Sequence, residues 1–163
     1  MFLKNLKLTN FRNYSKCDFK FTHPITVLVG DNAQGKSNFL ESIYFLATTK
    51  SFKADREEEL IKTGETSLFL EGEVAESADS SASSRNDTPN TSVLQIAMQY
   101  IEPSLTKKIK VNGVPRRLMD YSGNLAVVQF LPEDVNLVSG SPSLRRNYLD
   151  FMLGQIDKHY KKT

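Results

Sequence analysis

Leu6 and Leu8 alternate with Lys7 and Thr9, and after the turn NFRNY the run KCDFKF at 16–21 alternates again. A period of two marks a half-buried strand, so the first twenty residues predict two antiparallel strands. His23-Pro24 breaks the pattern, and ITVLVG at 25–30 is apolar without alternation, which predicts a strand buried on both faces. The period then changes. From Lys36 to Thr48, Phe39, Leu40, Ile43, Tyr44 and Leu46 recur at helical spacing.

Further along, a polar connection with a short helical turn at 57–62 leads into SLFLEGEV at 67–74, another alternating strand. Residues 75–92, AESADSSASSRNDTPNTS, have almost no apolar content and read as a flexible loop insertion. VLQIAMQYI at 93–101 is the next strand. KKIKVNGVPRR at 107–117 places Asn112-Gly113 between two short alternating runs, a type I′ hairpin signal. Residues 67–117 thus predict an antiparallel β subdomain. LAVVQFL at 125–131 predicts a second buried strand. Ser141 and Pro142 then stand as cap and first residue of a terminal helix with one apolar stripe: Leu144, Tyr148, Phe151 or Met152, and Ile156.

Strands and helices in this order make an α/β chain, and 163 residues suit one domain or one lobe of a larger one. The boundaries this suggests are a lobe at 1–140 and the start of a helical arm at 141–163. The lone Cys17 excludes an internal disulfide, and its alternation with Phe19 and Phe21 favours a strand position over a reactive thiol. No run approaches the roughly 20 apolar residues of a membrane span, and the N-terminus lacks a leader pattern, so a cytoplasmic location without membrane contact is expected. Net charge is only +2, but residues 1–53 carry eight basic residues against three acids, and residues 54–90 three against ten. That asymmetry allows either two solvated faces of opposite sign or a functional basic surface.

The chemistry lies between the apolar run and the helix. Gly30-Asp31-Asn32-Ala33-Gln34-Gly35-Lys36-Ser37 fits G-x-x-x-x-G-K-[ST]. Such a loop wraps phosphates with backbone N–H groups, so glycines are needed where side chains would intrude. The following helix aims its free N–H groups at the phosphates. Lys36 supplies a charge to the β- and γ-phosphates of ATP, and Ser37 a hydroxyl to Mg²⁺. Glu133 and Asp134 follow the apolar run 125–131. They are either Walker-B-like carboxylates or the first-turn acids of a short helix begun by Pro132.

Four stretches together resemble the RecF family of bacterial recombination mediators, ABC-type ATPases related to the SMC proteins: LKLTNFRNY at 6–14, VLVGDNAQGKSNFLESIYFLATTKS at 27–51, ELIKTG at 59–64 and FLPEDVNLVSGSPSLRRNYLD at 130–150. The resemblance implies the N-terminal lobe of an ABC-type P-loop ATPase head, with an antiparallel β subdomain and the start of a helical arm. It implies a homodimer formed on ATP binding, slow ATP hydrolysis, binding of single-stranded, gapped or linear double-stranded DNA, recombinase loading, links to replication and the damage response, and the partners RecO and RecR. It places Arg12 and Asn13 in a turn near the nucleotide, with Arg12 either on phosphate or simply on the surface. Gln129 falls near the family's Q-loop, or is an ordinary strand residue. Arg145 and Arg146 either contact DNA or brace the β subdomain through acids. The LSGG-like signature of the family's second half does not occur here, since Ser122-Gly123 and Ser139-Gly140 lie in other contexts. The chain alone is therefore expected to bind ATP weakly and to hydrolyse it poorly. The alternatives are a self-contained P-loop enzyme, such as a small kinase, and a non-catalytic interaction fragment.

Overall fold

The computed structural model describes residues 1–75, 91–156 and 160. The two alternating runs form β1 (Phe2–Phe11) and β2 (Tyr14–Lys20), antiparallel, with Leu8 opposite Cys17 and Leu6 opposite Phe19. Cys17 is half-buried in β2, and burial, with Asp18 beside it, pushes its thiol pKa up. The helix predicted from Lys36 to Thr48 is α1 (Lys36–Thr48).

β3 (Ser67–Ala75) pairs with β1 and sets Leu70 opposite Leu8. β4 (Thr91–Ile101), β5 (Ser104–Val111) and the short β6 (Val114–Pro115) follow in turn. The result is one six-stranded sheet in the order β2-β1-β3-β4-β5-β6, with every pairing antiparallel. The meander predicted at 67–117 is thus the larger part of a sheet whose first two strands precede the phosphate loop. At the β5–β6 turn Asn112 (φ 52°) and Gly113 (φ 76°) are both left-handed, as a type I′ turn requires. Gly113→Ala puts a Cβ into that conformation and is expected to cost about 1 kcal/mol, read as a fall of about 3 °C in melting temperature.

One face of the sheet is the core. Leu6, Leu8, Leu70, Leu94 and Ile96 are fully buried, and α1 lies over them with Phe39, Phe45 and Leu46. The short α2 (Leu118–Tyr121) closes one side: buried Tyr121 donates its hydroxyl to the Leu46 carbonyl at 2.8 Å, and burial raises its phenol pKa above the ordinary value. Acids of the 54–90 segment meet bases from outside it: Glu71 pairs with Lys7, Glu57 with Lys107 and Glu59 with Arg12. Three acids of that segment thus lie against basic residues from elsewhere in the chain. Glu71 also accepts from Gln95, and that bond together with Lys7 holds its carboxyl pKa below the usual value.

Three expectations are corrected. The segment 25–30 forms no strand and joins no sheet among the described residues, and Ile25 and Val29 are 80% and 89% exposed. The same holds for 125–131: Leu125 is buried, but Phe130 is 84% exposed. The sheet present is antiparallel and already paired through β2 to β6, whereas continuous apolar strands need neighbours on both sides. The peptide of Val127 is instead met by a side chain, since the Gln155 amide accepts from its N–H and donates to its carbonyl at 3.0 and 3.1 Å.

The third correction concerns the cap of α4 (Pro142–Ile156). The Ser141 hydroxyl bonds the Ser143 hydroxyl at 2.7 Å, and it is the Ser141 carbonyl that takes the Leu144 N–H. On α4 Phe151 stacks on Tyr44 of α1 at 5.7 Å, while Leu144 is exposed. The insertion expected at 75–92 lies, for 76–90, outside the described residues, as do residues 157–159 and 161–163 and the side chains of Ile156 and Glu133.

Candidate nucleotide site

The sequence around the loop forces a sharp turn into the helix. Gly30 (φ 154°), Ala33 (φ 65°) and Gly35 (φ 103°) all have positive φ, and α1 begins at Lys36 with no acid in its first turn. Residues 31–34 and Ser37 line the outside of the turn, while Gly35 is buried. Gly35 is needed for two reasons. Its φ is left-handed, and a Cβ there would lie 2.6 Å from the Asn13 amide nitrogen. Lys36 folds over the loop, donating from Nζ to the Gly30 and Asp31 carbonyls at 2.6 Å each. The helix end thus offers unopposed N–H groups and an ammonium to one small volume, which is what a polyphosphate requires.

The β1–β2 turn backs this loop. Asn13 donates from Nδ2 to the Gln34 carbonyl at 3.4 Å and accepts from Asn38 at 2.9 Å. Tyr14 donates its hydroxyl to the Gly35 carbonyl at 3.3 Å, and Lys53 donates to Asn38 at 3.3 Å. Asn13 therefore supports the loop from behind.

Arg12 is neither on the surface nor free. Its Nε and Nη2 donate to both oxygens of Glu41 at 3.0 and 2.8 Å, and Nη1 donates to the Glu59 carbonyl at 2.9 Å. Its side chain is 16% exposed, and Glu41 is fully buried. Ser51 also donates to Glu41, at 2.5 Å. Sequence reasoning misses Glu41, Ser51, Tyr14 and Asn38. A signal exists for Glu41, a carboxylate one helical turn after Ser37 on a helix that packs on the core, because a buried charge demands a partner.

Gln129 and Ser37 line one cavity of 340 Å³ together with Tyr44 and Phe52, so the structure brings these two predicted residues together. Asp134 is engaged locally. Its Oδ2 accepts from the Leu131 N–H at 2.6 Å and opens the short 3₁₀ turn Pro132–Val135. This agrees with the helix-start reading, and Asp134 also lines a cavity with Gln129, Tyr44 and Phe52. Arg145 donates to the carbonyls of Leu137, Val138 and Gly140, closing the turn after α3 (Asn136–Ser139). It braces backbone rather than acids of the β subdomain, and Arg146 is exposed.

Comparison with known proteins agrees with this geometry. The model of the RecF/RecN/SMC N terminal domain matches residues 2–144. DNA replication and repair protein RecF of Bacillus velezensis is 38% identical over 161 residues, and that of Thermosynechococcus vestitus 40% over 163. Each alignment covers nearly the whole chain (98% and 99%) but only 40% and 39% of the relative, so the chain spans about two fifths of the length of the curated relatives it matches. Among solved structures, the recombination mediator protein RecF-ATP in the RecFOR pathway superposes with a TM-score of 0.81 at 34% identity, covering 97% of this chain and 39% of that one. A chain from work on ATP-driven dimerization and DNA-stimulated activation of SMC ATPases superposes at 0.66 and 21% identity, covering 96% of this chain and 100% of that one, which speaks to the fold alone. The loop, the antiparallel sheet and these matches place the chain in the RecF/RecN/SMC N-terminal-domain family, with the fold of an ABC/SMC-type ATPase lobe.

Proposed function

We propose that the chain is the nucleotide-binding lobe of a RecF-type DNA replication and repair protein. The observation that carries this is the helix start at Lys36, where a positive-φ loop, a first turn without acids and the Lys36 ammonium converge. Residues Gly30, Asp31, Asn32, Ala33, Gln34 and Gly35 offer backbone N–H groups to the phosphates of ATP. Lys36 exchanges its loop carbonyls for phosphate oxygens, and Ser37 is the residue for Mg²⁺, which when bound neutralises phosphate charge. Arg12 and Asn13 hold the loop in place, and Gln129 faces the same cavity as Ser37. The wider reading has four parts: a homodimer formed on ATP, slow hydrolysis in that dimer, DNA as the substrate surface, and RecO and RecR as mediator partners. It rests on the RecF relatives, of whose length this chain spans two fifths.

Titration with a fluorescent ATP analogue and Mg²⁺ tests the site. Lys36→Ala is expected to weaken binding at least about tenfold, the loss of one charge-assisted contact of about 1.5–3 kcal/mol. The melting temperature should be unchanged, and phosphate release by the chain should stay at background. Equal binding by Lys36→Ala would remove the phosphate-loop reading. Sustained turnover by this chain alone would revive the self-contained enzyme.

A further inference from the structure

The face of the sheet opposite α1 carries no helix among the described residues, and its side chains can be read in rows straight across the strands. One row is Lys16, Thr9, Phe69, Ala97 and Lys108, from β2 through β1, β3 and β4 to β5. The row one residue away, Cys17, Leu8, Leu70, Ile96 and Ile109, faces the core, so this one faces solvent. Phe69, on a central strand, is 36% exposed. Its row neighbours Thr9 and Ala97 are short.

An exposed phenylalanine alone is ordinary. What sets this one apart is the lysine at each end of its row. The next row on one side, Ser67, Gln99 and Thr106, is uncharged. The acids of this face lie on the other side, and there Glu71 is already held by Lys7 and Gln95. Lys16 and Lys108 make no ion pair among the described residues. Four strand spacings of about 4.8 Å put their backbones about 19 Å apart, with the ring between them.

We propose that this row is a stacking platform for single-stranded DNA, with a base on Phe69 and phosphates on Lys16 and Lys108. Aromatic side chains on an open sheet, flanked by cations, bind bases with little sequence preference, because every base has a π-face and every linkage a charge. The choice of DNA over another polyanion rests on the repair-protein reading above; the platform does not depend on the nucleotide site. Arg116 and Arg117, exposed beside β6, extend the positive edge.

The test is fluorescence anisotropy of labelled oligo-dT of about fifteen nucleotides, without ATP, across about 50 to 200 mM salt. Phe69→Ala and Phe69→Leu are each expected to weaken binding about tenfold, while Phe69→Trp keeps it. Lys16→Gln with Lys108→Gln should lower the slope of log affinity against log salt by about 1.4. Thermal melts of each variant separate lost binding from lost fold, and the solvent-facing Phe69→Leu is expected to melt as the parent does. Lys36→Ala should bind oligo-dT normally, so a failed nucleotide site and a failed platform give different patterns. The proposal is overturned if Phe69→Leu, folded, binds oligo-dT as tightly as the parent, or if an abasic oligomer binds as tightly as oligo-dT.

Discussion

Arg12→Ala is expected to destabilise the fold by about 3–5 kcal/mol, the cost of leaving one member of a buried ion pair uncompensated. Glu41 is fully buried, and among the described residues it keeps only the Ser51 hydroxyl once the guanidinium is gone. Against a typical total of about 5–15 kcal/mol this is a large fraction, and a visible unfolded population at 37 °C would follow. Urea unfolding monitored by circular dichroism reads it directly. A paired replacement, Arg12→Met with Glu41→Met, should lie within about 1 kcal/mol of the parent, because it removes both charges and keeps the volume. The pair ties the β1–β2 turn to α1 one helical turn beyond Ser37, so its loss should loosen the loop that Asn13 supports. If Arg12 acted chiefly on phosphate, Arg12→Ala would instead weaken nucleotide binding and leave the unfolding midpoint where it was. That outcome would discard the bracing role.

What the sequence revealed and what it concealed follow from the range of the interactions. α1, the Asn112-Gly113 turn and the phosphate loop are set by residues within a few positions of one another, and each stands where periodicity put it. The pairing of β3 with β1 joins residues some sixty positions apart, and alternation alone does not say which edge a strand will find. The bidentate link from Arg12 to Glu41 spans 29 positions and leaves no local pattern beyond a charge on a core-facing helix. Segments 25–30 and 125–131 failed for another reason. Their apolar runs are written for neighbours on both sides, and the sheet formed by the described residues provides none. A strand pattern reports the burial a segment is built for, not whether its neighbours are at hand.

The second large effect is expected at a residue with no side chain. Gly72 lies in β3, outside the set of left-handed glycines, so its backbone would accept any residue. What forbids one is α1: a Cβ there would stand 2.2 Å from Leu46 Cδ2 and 3.1 Å from Leu3 Cδ1. Leu46 is fully buried and its backbone carbonyl is held by Tyr121, so it has little room to withdraw. Gly72→Ala should cost about 2–3 kcal/mol by overpacking, and Leu46→Ala about 3 kcal/mol by leaving a cavity. Together they should cost at least about 1 kcal/mol less than the sum, since the new methyl occupies space that the leucine vacates. Strict additivity in chemical unfolding would show that the two do not meet and that α1 sits elsewhere on the sheet. The same contact sets the height of α1 above β3, and α1 carries Lys36 and Ser37 at its other end. Gly72→Ala is therefore also expected to weaken nucleotide binding from a distance, and the double variant to recover part of it, because a rigid helix passes a displacement at one end to the other.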